Sequence, residues 1–142
     1  MTMTGSKRKL SDTIYWQFAV RKGQGPVLLG NDGAAIRAIN DTGVAVTISM
    51  LNARGMTPSP NGQWTVIYGD NQLDLFGAND QRAISLPIGV DKVLWRPDSA
   101  GFFILGGRSL SYYSLDKRLL SQVDSCAQQK CGFSSSWFAW AN

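Results

Sequence analysis

The order of apolar and polar residues along the chain is that of a β protein. From Ile14 to Arg21 the residues alternate, with Ile14, Trp16, Phe18 and Val20 on one side and Tyr15, Gln17, Ala19 and Arg21 on the other. A period of two predicts a half-buried strand. Val27 to Leu29 predicts a short apolar strand, followed by the tight turn Asn31-Asp32-Gly33. Ala34 to Ile39 and Val44 to Met50 predict two more strands, joined by Asn40-Asp41-Thr42-Gly43, with Val44, Val46, Ile48 and Met50 sharing a face. Leu51 to Pro60 carries Asn52, Gly55, Pro58 and Pro60 and reads as a connector. Beyond it the pattern predicts strands at Trp64 to Tyr68, Leu73 to Phe76 and Ala83 to Leu86. Four more follow, at Val90 to Trp95, Phe102 to Leu105, Leu110 to Leu115 and Leu119 to Val123. Strands this short between regular turns exclude a helical bundle and leave a sandwich, a barrel or a propeller.

Within this series one pattern is written twice. SPNGQWTVIYGDNQLDLF from Ser59 and RPDSAGFFILGGRSLSYY from Arg96 align without a gap at a spacing of 37 residues. Pro60 matches Pro97, Val66 matches Phe103, Gly69 matches Gly106, Leu73 matches Leu110 and Leu75 matches Tyr112. A fixed period of this length marks a repeat whose single unit cannot bury its apolar face alone. The expected organisation is a basic leader over 1–12 and one all-β repeat domain over 13–142. Its units run over about 13–50, 51–88 and 90–123, with a terminal strand at 133–140. The expected fold is thus about three four-stranded antiparallel blades plus that strand, with a β-sandwich as the alternative.

Ser59-Pro60-Asn61-Gly62 before one apolar strand, and Trp95-Arg96-Pro97-Asp98-Ser99 before another, resemble the W-S-P-D-G blade signature of TolB-like β-propellers, relatives of WD-repeat proteins. The resemblance covers Ser59 to Val123; earlier in the chain only the strand spacing survives. It implies that the motif sits in the turn between the innermost strands of a blade and that Trp95 packs between blades. Pro60, Asn61, Gly62, Trp95, Pro97 and Asp98 are then the structural signature, and Pro58 holds the place of Trp95 in the second unit. A whole propeller needs at least about four blades. A chain with about three is expected to be part of a larger propeller, or to close its open edges against another copy or a partner.

The composition narrows the chemistry. His is absent, and all ten acidic residues are Asp. Ser-His-Asp and Cys-His catalysis and the common zinc sites are excluded on that ground. Asp32, Asp41, Asp70, Asp80 and Asp98 lie in predicted turns, where Asp is a turn former. Gly23-Gln24-Gly25 has Leu28 where a dinucleotide loop would have its third Gly, and a strand follows. The expectation from these absences is a protein that is not an enzyme, with neither cofactor nor metal, acting as a protein-interaction or scaffold module that self-associates or binds a protein partner. The alternatives are a fragment of a larger propeller-containing enzyme, such as a peptidase, and a glycan- or peptide-binding module.

Two features at the end of the chain bear on those alternatives. Phe133, Trp137, Phe138 and Trp140 form an aromatic cluster, read either as internal core or as a binding surface of Trp137, Phe138 and Trp140. Cys126 and Cys131 enclose four polar residues and are read either as free thiols or as a local disulfide. The bridge would point to an oxidising compartment.

Charge adds little. The net charge is +4, but Lys7, Arg8 and Lys9 carry three of the positive groups and leave the body close to +1. A short basic run at an amino terminus is expected to be a solvated tail, so nucleic acid is not the expected partner. No apolar run approaches the roughly 18 residues of a membrane span. The leader shows no cleavage-like site, which predicts a cytoplasmic chain as written and an extracytoplasmic one if a native signal has been trimmed away.

Overall fold

The structure, a computed structural model, describes Lys9 and residues 12–22 and 27–125. Lys7 and Arg8 of the leader, the cysteines Cys126 and Cys131, and the terminal strand at 133–140 with Trp137, Phe138 and Trp140 lie outside the described residues.

Among the described residues there is no helix; there are three four-stranded antiparallel sheets, each a simple meander. The first blade is β1 (Gln17–Arg21), β2 (Val27–Asn31), β3 (Ile36–Ile39) and β4 (Ala45–Ser49). The second is β5 (Gly55–Pro58), β6 (Trp64–Tyr68), β7 (Leu73–Gly77) and β8 (Arg82–Leu86). The third is β9 (Lys92–Trp95), β10 (Gly101–Gly106), β11 (Ser109–Ser114) and β12 (Leu119–Ser125). The sheets stand as three separate blades, not as the two facing layers of a sandwich.

The strands show that the period reaches back through the first blade, although its turn signature does not. β2, β6 and β10 begin at Val27, Trp64 and Gly101, and β4, β8 and β12 at Ala45, Arg82 and Leu119, a constant 37 residues apart. Each blade also has a bulge between its third and fourth strands, at Ile36/Arg37, Leu75/Phe76 and Leu110/Ser111. Such bulges increase the local twist and let the outer strand swing away from the neighbouring blade.

The first strand of the second blade falls where the sequence predicts a connector. Gly55 and Pro58 argue against a strand on propensity, and both are explained by position. β5 is an edge strand, where Pro is tolerated. A Cβ on Gly55 would stand 2.3 Å from Cζ of Tyr68, so only Gly admits that ring.

The blades stack in chain order, their first strands nearest one another: β1 touches β5, and β5 touches β9. One core cluster joins the first two blades through Leu29, Ile36 and Ala38 against Met56, Ile67 and Phe76. The other joins the second and third through Val66, Leu73 and Leu75 against Val93, Trp95, Phe102, Ile104 and Tyr113. The middle blade is therefore buried on both faces, and Leu73, Asp74, Leu75 and Phe76 of β7 are all buried.

The turns between first and second strands seal the stack from one end. Gly62 in the β5–β6 turn has φ +74°, and a Cβ there would lie 1.7 Å from the carbonyl oxygen of Lys22. Ser99, at the same repeat position in the β9–β10 turn, takes φ 60° as a non-glycine. Gly107 has φ +58°, and a Cβ there would meet nothing within 4 Å. Gly62→Ala is expected to destabilise by about 3 kcal/mol, combining strain with a backbone clash, while Gly107→Ala costs about 1 kcal/mol for the left-handed conformation alone. Denaturant titration of the two variants tests the difference; equal losses would mean that Lys22 and Gly62 are not in contact.

Candidate functional site

Two kinds of surface can carry function here: the junctions between blades and the outer faces of the end blades. The junctions differ in chemistry although the repeat builds both. Between the second and third blades the packed contact is apolar and aromatic, with the half-exposed Arg54–Asp91 ion pair at its edge. Trp95 is 5% exposed, tilts against Phe102 at 4.9 Å, and donates its indole N–H to the Thr57 carbonyl of β5 at 3.0 Å. Phe102 in turn stacks on Tyr113 at 5.3 Å. Burial raises the Tyr113 phenol above its ordinary pKa of 10.0. A hydrogen bond joins the two signature turns directly, from the Asn61 N–H to Ser99 Oγ at 3.0 Å.

The junction between the first and second blades is polar. Asn31, fully buried, donates to the Ala53 carbonyl at 3.0 Å. Arg21 at the end of β1 pairs with Asp80 in the β7–β8 turn, both side chains largely shielded. Asp80 is thus more than a turn former: it takes φ 61° and ties the two blades together. Facing the first blade from β7 is Asp74, 3% exposed, whose two oxygens accept from Gln72 Nε2 at 2.9 and 3.1 Å. Arg82 Nη1 stands 4.0 Å away from Asp74 and is more than half exposed. Thr65 is buried on the same side of the blade with no partner for its hydroxyl.

Each junction opens outward into a cleft, and the two clefts share repeat positions. The first, about 490 Å³, is lined by Ile48, Met50 and Leu51 from the first blade's side and by Gln72, Asp74, Phe76, Asp80 and Arg82. The second, about 370 Å³, is lined by Ile88, Gly89, Ile104, Gly106, Ser109 and Ser111. Leu51, Gln72 and Asp74 are replaced there by Ile88, Ser109 and Ser111, each 37 residues on.

The outer faces are apolar without a described blade against them. On the first blade Phe18 and Val20 are 53% and 63% exposed and lie beside Leu28, Gly30 and Ile39 in register. Trp16 and Ile14, just before β1, are also exposed. Of the two sides of the alternation from Ile14 to Arg21, the apolar one faces out, and Gln17, Ala19 and Arg21 face the second blade. On the third blade Leu94, Phe103 and Tyr112 form one half-buried cross-strand row, next to the Leu105–Leu110 pair, of which Leu105 is buried. Phe103 and Tyr112 contact at 4.9 Å, and the Tyr112 hydroxyl accepts from Arg96 at 3.2 Å.

The sequence-predicted signature residues all fall in or beside the β5–β6 and β9–β10 turns. Asn61 Oδ1 accepts from the Gln63 N–H at 3.0 Å, and Asp98 Oδ1 from the Ala100 N–H at 3.0 Å. Pro60 and Pro97 are exposed on top of these turns, and Pro58 ends β5. These residues shape turns and hold blades; they do not converge on a cavity. Asp74, Gln72 and Arg82 were not singled out by the sequence. The signal that could have found them is Asp74 itself, a charge standing between Leu73 and Leu75 where the third unit has Ser111 between Leu110 and Tyr112.

No family model matches the sequence, and no curated protein matches it. Solved structures do resemble it in fold. A functionally unknown protein from Desulfotomaculum acetoxidans superposes with a TM-score of 0.56 at 12% identity, covering 76% of this chain and 40% of its own. A protein from Bacteroides uniformis, provisionally named a 6-phosphogluconolactonase, gives 0.53 at 13% identity, covering 75% and 40%. A Bacteroides fragilis protein under the same provisional name gives 0.53 at 14%, covering 75% and 37%. This chain therefore spans two fifths or less of the length of these neighbours.

These neighbours correct the expectation that the chain is not an enzyme. Two of them carry an enzyme's name on this fold, so the absence of His and Glu does not license that exclusion. Missing residue types remove particular devices; Asp, Arg and Tyr still supply acids, bases and charge stabilisation.

The first blade's outer face is edged by a carboxylate held by its surroundings. Asp32 accepts the N–H groups of Ala35 and Ala34 at 2.8 and 2.9 Å and pairs with Arg37. The backbone donors first, then Arg37, lower its pKa below the ordinary 3.8. A lowered carboxylate pKa contributes stability that is present above the unfolded value and lost as the pH falls through the folded one. Asp32→Asn keeps the acceptor and loses the charge. It is expected to melt lower than the parent at neutral pH, the gap closing below about pH 4. Melting temperatures at neutral and acid pH check this; a gap that widens in acid would reverse the sign.

Proposed function

We propose that the three blades are an arc of a complete propeller and that the closed ring is the working form. The observation that supports this reading is a repeat equivalence between the faces packed at the junctions and the faces at the two ends of the stack. Phe103, Leu110 and Tyr112 occupy the repeat positions of Val66, Leu73 and Leu75, which the middle blade buries against its neighbour. Val20 pairs with Leu28 as Trp95 pairs with Phe102, and Phe18 pairs with Gly30 as Val93 pairs with Ile104. The outer face of the third blade is thus the first half of a junction, and the outer face of the first blade is the second half. An apolar face that repeats a buried one marks an assembly surface.

A second copy supplies both halves. Two arcs of three blades joined head to tail close into six, within the roughly four to eight blades of known propellers. The TolB-like resemblance of the turn signatures fits this reading. So does the fact that the neighbours are much longer chains, with room for further blades in one sequence.

The reading predicts a particle of twice the 15.5 kDa chain mass by light scattering coupled to size exclusion. Val20→Asp and Leu110→Asp are each expected to give monomers, because every junction uses one of each face. Mixed together they are expected to recover a dimer through the one junction in which both faces are intact. A wild-type monomer at concentrations well above micromolar, or variants that remain dimeric, would sink the proposal.

A second reading concerns chemistry, and the two Bacteroides neighbours favour it: the completed ring acts on a phosphorylated sugar lactone. Hydrolysis of 6-phosphogluconolactone above the spontaneous rate, followed by proton release, is the expected result. An unchanged rate with the assembled protein would remove that substrate.

A further inference from the structure

We propose that the cleft between the first and second blades binds a guanidinium group on an aliphatic stem, with Asp74 as its anchor. The repeat itself provides the control. A cleft exists at both junctions, so the groove belongs to the architecture, but the carboxylate does not. The equivalent position in the next blade is Ser111, and the cleft there is lined without a charged residue. Placing an acid at a position 3% exposed costs desolvation that the fold has no need to meet.

Asp74 also has acceptor capacity to spare. A carboxylate offers about four lone-pair sites. Here one amide nitrogen, Gln72 Nε2, serves both oxygens, and Arg82 adds only a loose ion pair at 4.0 Å, beyond hydrogen-bond reach and on an exposed stem. A planar fork of N–H donors suits two carboxylate oxygens better than a compact ammonium does. The remaining lining fits the rest of such a ligand. Ile48, Met50 and Leu51 form an apolar wall for a methylene stem, and Phe76 lies beside Asp74 on the second blade's side. Arg82 stands at the rim, placed to meet a ligand carboxylate when one is present. A cleft of about 490 Å³ is the size of a site for a small molecule or for one side chain of a peptide.

The test is calorimetric titration of the whole protein with L-arginine, with arginine blocked at both ends as a peptide mimic, and with citrulline, which replaces the guanidinium by a neutral urea. Binding of either arginine form with citrulline at least roughly tenfold weaker is the expected result. Preference for free arginine assigns the source to a small molecule held also by Arg82, and equal binding assigns it to a peptide side chain. Asp74→Ser installs the residue that the next blade already uses at this position. It is expected to fold with little change in melting temperature and to lose at least roughly tenfold in affinity. No binding of either arginine form to the wild-type protein overturns the proposal, as does citrulline binding equally well or an Asp74→Ser variant that binds unchanged. The arginine-against-citrulline comparison decides the matter even if that variant does not fold.

Discussion

A four-stranded sheet with apolar residues on both faces has to be covered twice, and the rest of this structure depends on that requirement. The middle blade meets it: β6 and β7 send Val66, Leu73 and Leu75 to one neighbour and Ile67 and Phe76 to the other. Hydrophobic burial of this kind is worth about 1.5–3 kcal/mol for each large side chain, against about 1 kcal/mol for a hydrogen bond such as that from Trp95 to Thr57. Packing between blades therefore decides stability, and the turns and caps decide register. Among the described residues the end blades have a neighbouring blade on one face only. Their outer faces carry the same positions as the inner ones, which is why closure of a ring follows from the packing and not from any added device.

The period was legible because it sets strand starts, and strand starts are marked by turn residues that are hard to replace. Gly62 and Ser99 sit at left-handed backbone positions 37 residues apart, and the matching prolines sit just before them. The first blade lacks that turn signature, yet β2 and β4 keep the spacing, because blades of equal length must register against one another to pack. Two elements escaped a full reading for different reasons. β5 was hidden by Gly55 and Pro58, whose local cost is overridden by the Tyr68 ring above the one and the edge position of the other. β1 was found, but which of its two sides meets the second blade was not legible. Alternation tells which residues share a face; it does not tell which face has a neighbour.

The polar junction was the least legible part. Asp74 lies in LDLF, an alternation in which the acid takes the side that a half-buried strand would give to solvent. In a blade with neighbours on both sides no such side exists, and the carboxylate is enclosed. The Arg21–Asp80 pair was equally hidden, since its partners are 59 residues apart and one of them sits in a turn whose sequence already accounts for an Asp. Long-range pairing of charges leaves no local trace.

One repeat has thus produced two junctions with different duties. The contact between the second and third blades holds through aromatic area and would be weakened by any group that brings water with it. The contact between the first and second blades is held instead by directional pairs, Asn31 to Ala53 and Arg21 to Asp80, which fix the blades while leaving a cleft between their outer strands. Directional pairs at the inner end tolerate separation at the outer end, because they do not need continuous contact area. β4 shows the consequence: Val46, and Val44 just before the strand, remain more than half exposed while Ile48 packs, so the outer strand of the first blade leaves its neighbour part of the way along. A junction that is closed at the axis and open at the rim, with a carboxylate at its floor, is the form in which a structural repeat can hold a ligand without surrendering its core.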